Sequence, residues 1–333
     1  MKKFPRVLLL TLFATLTTVQ AAERPKIALV LSGGGARGIA HVGVLKVLEE
    51  ARVPVDCVVG TSMGAIVGGA AATGMSPAEM EKRVLAADWD YVFGDRPKRK
   101  DIPYFRKRDD WQDYFDFTLT LRDFWPVAPR NLVGVHYITQ FFRELTGSIS
   151  VEKFDQLPLP YRAIGADLEN GKTVIMDHGD LPLVMRASMS VSGVFPPVPY
   201  ENSLVVDGGI VKNMGVDVGR QLCGDAVIAV DVSSPNANRQ KLESLFAVSE
   251  QTINIAVQRD MQAQIATLTT KDILIKPEMG KLTSTDFNES AQLIAAGEKA
   301  ARAASPSLKR YALSEADYLI WQQNLTARKP KNK

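Results

Sequence analysis

The sequence predicts an α/β protein, built as a three-layer α/β/α sandwich around a mainly parallel central sheet. Short apolar runs without polar alternation recur along the chain, as expected for strands that are buried on both faces. Segments with apolar residues at helical spacing lie between them, which is the order that produces a parallel sheet covered by helices. The predicted strands cover 26–31, 53–59, 161–166, 173–176, 203–206, 226–232 and 273–276, and the predicted helices cover 40–50, 65–73 and 240–268.

The remaining segments define the predicted domain organisation. Residues 1–21 combine Lys2, Lys3 and Arg6 with an apolar run too short to span a bilayer, a pattern typical of a signal peptide. We therefore expect an exported protein in the periplasm, at the outer membrane or in the medium. The main domain is predicted over 22–304, with its core motifs in 27–220, a charged, aromatic lid-like insertion at about 93–150, and a loosely ordered tail over 305–333.

The charge balance excludes a general affinity for nucleic acid. The chain has 40 Lys and Arg against 37 Asp and Glu, but three of the basic residues lie in the predicted leader, which has no acidic residue. The rest of the chain therefore has equal numbers of basic and acidic residues, and no net positive charge that would attract nucleic acid. Nothing in the sequence indicates the oligomeric state.

Only two cysteines are present, Cys57 and Cys223, too few for a disulfide framework. Cys57 lies within an apolar strand, where a buried, unreactive thiol is the common outcome. The sequence therefore favours two unpaired cysteines over a disulfide.

The segment Gly60-Thr61-Ser62-Met63-Gly64 lies between a predicted buried strand and a predicted helix. A nucleophile elbow needs a sharp turn in this position, with glycines two residues either side of the serine to avoid clashes. The alternative interpretation is a small-residue turn that packs a helix on the sheet. The strand-turn-helix context favours Ser62 as a nucleophile.

A serine nucleophile needs a base, and no histidine is well placed for that role. His41 is expected to be packed in the first helix, while His136 and His178 are expected at the surface. A carboxylate can act instead if it lies within hydrogen-bond reach. Asp207, at the end of an apolar strand and followed by Gly208 and Gly209, is the predicted base, since strand ends at one edge of a parallel sheet share a crevice. By itself, this Asp-Gly-Gly segment is also typical of an ordinary turn.

The third element is the glycine loop, Gly33 to Gly38, between the first strand and its helix. Main-chain N–H groups at a helix N-terminus carry partial positive charge, so the loop is suited to an oxyanion or to a phosphate. Because the loop also matches a dinucleotide-binding pattern, with Asp56 at a distance suited to a ribose contact, a nucleotide- or phosphate-binding protein is the alternative function.

Taken together, these motifs resemble the patatin-like phospholipase family, and specifically its bacterial exported branch. The resemblance covers about residues 25–235, and within this range the segments 38–45, 186–190 and 195–197 also agree with the family. It implies an enzyme that cleaves fatty acyl esters of lipids, such as a phospholipase A, lysophospholipase or esterase, without metal or cofactor. It also implies a Ser62–Asp207 dyad, an acyl-enzyme intermediate, and an oxyanion hole made by the N–H groups of Gly34, Gly35 and Arg37.

Two positions depart from the family pattern. Ser192 replaces a proline that usually follows the Arg186-Ala187-Ser188 segment, and Asn213-Met214-Gly215 replaces an Asn-x-Pro. Both are expected near the active-site wall, where they affect loop shape and substrate preference. They also keep open a third interpretation, a non-catalytic lipid-binding relative.

The lid-like insertion includes a stretch, 96–117, that mixes cations with aromatic residues. Such a mixture suits the headgroup region of a membrane, so this stretch is predicted to make a peripheral membrane contact. A solvated, charged face is the equally compatible alternative.

Overall fold

The computed structural model describes residues 24–94, 104, 120–122, 125–127, 135–147 and 149–328. The predicted signal peptide, 1–21, lies outside these ranges. So does the predicted membrane-contact stretch, 96–117, apart from Tyr104.

The strands alternate with helices for most of the described chain. The strands are β1 Ile27–Leu31, β2 Cys57–Thr61, β3 Thr120–Arg122, β4 Trp125–Val127, β5 Ser150–Val151, β6 Tyr161–Asp167, β7 Thr173–Met176, β8 Gly179–Asp180, β9 Val198–Tyr200, β10 Ser203–Asp207, β11 Ala226–Val230 and β12 Ile273–Ile275. The α-helices are α1 Ala40–Glu50, α2 Met63–Ala72, α3 Pro77–Ala86, α4 Trp89–Gly94, α5 His136–Thr146, α6 Leu181–Ser188, α7 Gly209–Lys212, α8 Val216–Leu222, α9 Leu245–Ile265, α10 Ser290–Ala303, α11 Ser305–Leu308 and α12 Glu315–Ala327. Short 3-10 turns cover Gly35–Ile39, Phe154–Gln156, Arg239–Lys241, Phe287–Glu289 and Lys309–Tyr311.

The central sheet confirms the predicted fold class. Within the described residues it has eight strands in the order β12-β11-β1-β2-β6-β10-β9, with β7 also paired to β6. Strands β12, β11, β1, β2 and β6 run parallel to one another, whereas β7 and β10 pair antiparallel with β6, and β9 pairs antiparallel with β10. The sheet is therefore mainly parallel, with an antiparallel edge.

Side chains of β1 alternate between the two sides of this sheet. Leu29 and Leu31 pack in a large cluster with α1, α2, α6 and α10, while Ala28 and Val30 pack in a smaller cluster with α8 and α9. All five residues of β1 are buried, which explains the absence of polar alternation in this run. Helices therefore cover both faces, as the three-layer prediction requires.

Two predictions about the C-terminal half need correction. The long helix predicted over 240–268 begins only at Leu245, because the chain first makes the 3-10 turn Arg239–Lys241. The tail predicted to be loose forms helices α11 and α12 as far as the structure describes it. Leu308 is 0% and Tyr318 8% exposed, so apolar anchors hold this segment against the domain.

The described part of the predicted insertion includes the β3–β4 hairpin and helix α5. Helix α5 buries Ile138, Phe142 and Leu145 in the large apolar cluster. The end of the predicted insertion is therefore an integral part of the core.

The expectation of two unpaired cysteines is wrong, because Cys57 and Cys223 form a disulfide with a Cα–Cα distance of 6.1 Å. Cys57 begins β2 and Cys223 caps α8, which packs on the same face of the sheet. Gly219 lets α8 lie close, since a Cβ there would be only 2.9 Å from the Val30 side chain. The pairing depends on this packing between segments distant in the chain, which no local pattern reveals.

Among the described helices, none has the length and apolar character needed to cross a bilayer.

We expect reduction of the disulfide to lower the free energy of unfolding by roughly 2–5 kcal/mol, because the cross-link restricts the unfolded chain. Urea unfolding with and without dithiothreitol measures this change. A Cys57→Ser/Cys223→Ser double variant is the control, and its stability should not respond to the reductant. Equal midpoints for oxidised and reduced protein would contradict the prediction.

Candidate active site

Ser62 occupies a strained turn between β2 and α2. Its backbone has φ 54° and ψ −124°, a conformation that costs roughly 1–3 kcal/mol in a non-glycine residue. Gly60 and Gly64 are required here, because a Cβ on Gly60 would collide with the Gly64 main chain and one on Gly64 with the Leu31 carbonyl. The turn has the strand-to-helix geometry of a nucleophile elbow.

Strand β6 brings Ser62 and Asp207 together. Thr61, just before the nucleophile candidate, pairs with Ile164, while Asp207 pairs with the next residue of β6, Gly165. Strand β7 pairs with residues 163–166 of β6 and so occupies the opposite edge. Strands β2 and β10 therefore share one edge of β6 and meet end to end.

Ser62 and Asp207 lie close together for a different reason from the one that the sequence predicts. Asp207 does not lie at the carboxyl edge of a parallel strand, because β10 runs antiparallel to β6. It reaches Ser62 because β10 approaches from the opposite direction along the same edge. A Cβ on Gly208 would collide with the Ile164 carbonyl, so the glycine after Asp207 lets the chain turn close to β6.

The environment of Asp207 suits a base near neutral pH. Burial raises the pKa of its carboxyl to about 6, while hydrogen bonds from the Ser62 hydroxyl and the Gly209 N–H act in the opposite direction. The Gly209 N–H donates to Oδ1 at 2.7 Å, and the Asp207 N–H donates to the Ser190 carbonyl at 2.9 Å. The first bond holds the carboxylate and the second holds the Asp207 main chain, while burial makes the ionised form costly.

The glycine loop lies on the same cleft as these two residues. The cleft has a volume of about 1630 Å³, and Gly33, Gly34, Gly35 and Arg37 line it together with Ser62 and Asp207. Gly34 precedes the 3-10 turn Gly35–Ile39, whose first N–H groups have no acceptor within the helix. Main-chain donors at such a terminus suit a developing oxyanion.

Three glycines fit this loop into a confined space. Gly35 has φ +57°, and a Cβ there would collide with the Ser284 carbonyl, which accepts a hydrogen bond from Ala36 N–H at 2.8 Å. At Gly38, a Cβ would collide with the Met63 side chain. At Gly33, it would lie 2.9 Å from the Ser62 Cβ.

Asn213 holds the glycine loop in place, a role the sequence did not reveal. Its side chain, 2% exposed, accepts from the Gly33 N–H at 3.1 Å and donates to the Gly33 carbonyl at 3.3 Å. Its own N–H donates to Asp260 on α9 at 2.7 Å. In the sequence, the asparagine of the Asn-Met-Gly segment is the signal that could have indicated this contact.

The histidines agree with their expected structural places. His41 is fully buried, and burial lowers its pKa to about 4, so it is neutral; its Nε2 lies 2.9 Å from the Ser32 carbonyl. His136 is exposed on α5, and His178 lies beside Asp177 near β8. No histidine is among the described residues that line the cleft.

The proposed ribose contact of Asp56 is contradicted. Asp56 precedes β2, so it lies at the opposite end of the parallel strands from the glycine loop. Its carboxylate binds Arg24 at 2.6 and 2.7 Å and accepts from the Ile27 N–H at 2.7 Å. In the described part of the chain, no group of three or more His, Cys, Asp or Glu side chains is arranged to hold a metal ion.

The fold and the cleft define an α/β protein in which a strained serine turn, a nearby carboxyl and a glycine loop line one cleft. The family model described as "Patatin-like phospholipase" matches residues 29–219, more than half of the chain. The protein therefore belongs to the patatin-like phospholipase family.

Curated relatives match the same region. The chain is 33% identical over 210 residues to patatin-like phospholipase domain-containing protein 6 of Homo sapiens, covering 62% of this chain and 13% of that protein. It is also 33% identical over 212 residues to lysophospholipase nte1 of Neurospora crassa, covering 64% of this chain and 12% of that protein. The chain thus spans only a small part of the length of these relatives.

Among solved structures, the chain is similar to VipD from Legionella pneumophila at 14% identity and a TM-score of 0.41, covering 85% of this chain and 67% of that one.

We expect Asn213→Ala to lower the free energy of unfolding by about 1–3 kcal/mol, because it leaves the buried Gly33 N–H without its acceptor. Asn254→Ala is the control, since it also removes an amide that bonds a loop, at Pro235 and Asn236, but at the surface. Urea unfolding of both variants checks this. An equal loss for the two would contradict a special role for Asn213.

Proposed function

We propose that the protein is a lipid acyl hydrolase that cleaves fatty acyl esters through a Ser62–Asp207 dyad. The observation that carries the proposal is that Ser62 and Asp207 lie close enough for the serine hydroxyl to influence the carboxyl, on a cleft that both line together with the glycine loop. Membership of the patatin-like phospholipase family and the similarity to a lysophospholipase support the substrate class.

In the proposed mechanism, Ser62 Oγ attacks the ester carbonyl carbon while Asp207 takes the hydroxyl proton. The N–H groups of Gly34, Gly35 and Arg37 hold the negative oxygen, a contribution that in other acyl transfers is worth about 3–4 kcal/mol per donor. When the ester C–O bond breaks, Asp207 returns the proton to the departing alcohol. Water then attacks the acyl-enzyme, again giving its proton to Asp207. When the bond between the acyl carbon and Ser62 Oγ breaks, Asp207 returns this proton to Oγ, and the fatty acid leaves the restored enzyme.

The walls of the cleft suit an amphipathic substrate. Val191, Ile210, Leu242, Ile253 and Val257 provide apolar surface. Lys276 and Lys281, with several Ser, Asn and Gln side chains, provide polar surface in the same cleft. An acyl chain and a polar headgroup can therefore be accommodated together, as in a phospholipid or lysophospholipid.

We also propose that the protein is exported and contacts membranes peripherally. The leader-like residues 1–21 and a disulfide between Cys57 and Cys223 support an oxidising compartment. The membrane contact is proposed for 96–117 from its mixture of cations and aromatics.

The first rival is a nucleotide- or phosphate-binding protein. It loses its predicted ribose contact, because Asp56 lies away from the glycine loop. The second rival is a non-catalytic lipid-binding relative, which does not require Asp207 to face Ser62. The pairing of a strained serine with a half-buried carboxyl favours the hydrolase over both.

We expect Ser62→Ala and Asp207→Asn each to lower hydrolysis of p-nitrophenyl butyrate by at least about 10³-fold, because each removes a member of a unit that acts together. Circular dichroism should show that both variants remain folded. Ser314→Ala, at the N-cap of α12, is the control and should keep wild-type activity.

Retained hydrolysis in folded Ser62→Ala would disprove the dyad. Dinucleotide binding that survives both substitutions, with no esterase activity in the wild type, would favour the first rival. Binding of lysophospholipid without hydrolysis would favour the second.

We expect kcat/KM to fall as the pH is lowered through about 6, because the Asp207 pKa is raised to about 6 and only the ionised carboxylate accepts the serine proton. Above that pH the base is ionised and activity should reach a plateau. A pH profile with p-nitrophenyl butyrate tests this prediction. An acid limb near pH 4, the range of an ordinary aspartate, would contradict it.

A further inference from the structure

We propose that Ser188, at the C-terminal end of α6, is a positioning residue whose turn fixes the main chain of both the nucleophile and the base. This inference rests on the proposed function. Ser188 does not line the cleft and takes no part in the mechanism described above. Its role comes from buried hydrogen bonds behind the dyad.

Ser188 binds the nucleophile elbow directly. Its side chain is 0% exposed, and its Oγ accepts a hydrogen bond from the Ser62 N–H at 2.9 Å. The same hydroxyl donates to the Ile164 carbonyl at 2.7 Å. Ile164 is the β6 residue paired with Thr61, so one hydroxyl ties the strained serine to the strand that sets its register.

The same turn binds the base two residues later. The Ser190 carbonyl accepts a hydrogen bond from the Asp207 N–H at 2.9 Å. The segment 188–190 therefore reaches the main chain on both sides of the dyad. Its displacement would change the separation of Ser62 and Asp207.

Arg186 anchors this turn from behind. Its guanidinium, 4% exposed, donates to the Ser190 hydroxyl and, at 2.7 Å, to the Pro196 carbonyl. It also lies 5.9 Å from the centre of the Phe195 ring. The Ser190 hydroxyl donates back to the Arg186 carbonyl at 2.9 Å, which closes a small buried network.

The hydrogen bond from Ser188 matters because the Ser62 backbone is strained. A residue with φ 54° keeps that conformation only when its surroundings determine it fully. Without the Ser188 hydroxyl, the Ser62 N–H and the Ile164 carbonyl lose their described partner, and the elbow can relax away from Asp207. Because its N–H is committed to Ser188, Ser62 also leaves oxyanion binding to the glycine loop.

Relaxation of the elbow should change the pKa of Asp207, whereas a general loss of folding stability should not. The hydrogen bond from Ser62 lowers the pKa of Asp207, whose other influences are burial and the Gly209 N–H, with no charged side chain among them. Weakening this bond should therefore raise the Asp207 pKa. The acid limb of kcat/KM should move upward with it.

The test compares Ser188→Ala, Ser188→Cys and Ser314→Ala with the wild type, using p-nitrophenyl butyrate well below each Tm. In Ser188→Ala we expect kcat to fall roughly 10- to 100-fold, because small misplacements at a reacting centre have effects of this size. KM should stay nearly constant, and the acid limb should move above that of the wild type. Cysteine, a weak acceptor and donor of similar shape, should recover part of kcat.

The control Ser314→Ala removes a hydroxyl that caps α12 by accepting from the Asp317 N–H at 3.1 Å. It should lower the Tm while keeping kcat and the acid limb of the wild type. This separates positioning from stability.

Folded Ser188→Ala with wild-type kcat and acid limb would overturn the inference, as would a loss confined to KM. If Ser188→Ala does not fold, Ser188→Cys decides: lower kcat with a raised limb supports the inference, and wild-type values overturn it. Absence of esterase activity in the wild type would instead refute the proposed function, and this inference with it.

Discussion

The strand pairing along one edge of β6 determines whether Ser62 and Asp207 face each other in the cleft. Ile164 and Gly165 are adjacent residues on this edge, and they pair with Thr61 from β2 and with Asp207 from β10. A shift of one residue in either pairing would turn the side chains to the other face of the sheet. The position of the hydroxyl relative to the carboxylate is therefore a consequence of sheet register, and the surrounding loops refine it.

The fold class and the segments that form the candidate site were accessible from the sequence because their signals are local. The strand, glycine turn and helix around Ser62 lie within one short segment, and so do those of the glycine loop. The antiparallel approach of β10, the Cys57–Cys223 pair and the contact of Asn213 with Gly33 were not accessible. Each joins segments distant in the chain, and their proximity depends on packing that periodicity does not encode.

The cleft combines two arrangements that oppose stability. Ser62 has a strained backbone, and Asp207 is a carboxyl for which burial disfavours the charged form. The surrounding hydrogen bonds hold these groups where an unrestrained chain would not place them. Such departures from local preference are expected where a protein performs chemistry, and their concentration around one cleft agrees with the proposed hydrolase.

The disulfide also joins two distant parts of the chain into a covalent ring. Cys57 and Cys223 are separated by 166 positions, and the covalent ring they close contains Ser62, Ser188 and Asp207. It also contains the whole insertion, so a protease cut within 93–150 would place the serine and the aspartate on different fragments without releasing either. The nicked molecule would remain one covalent unit for as long as its environment is oxidising.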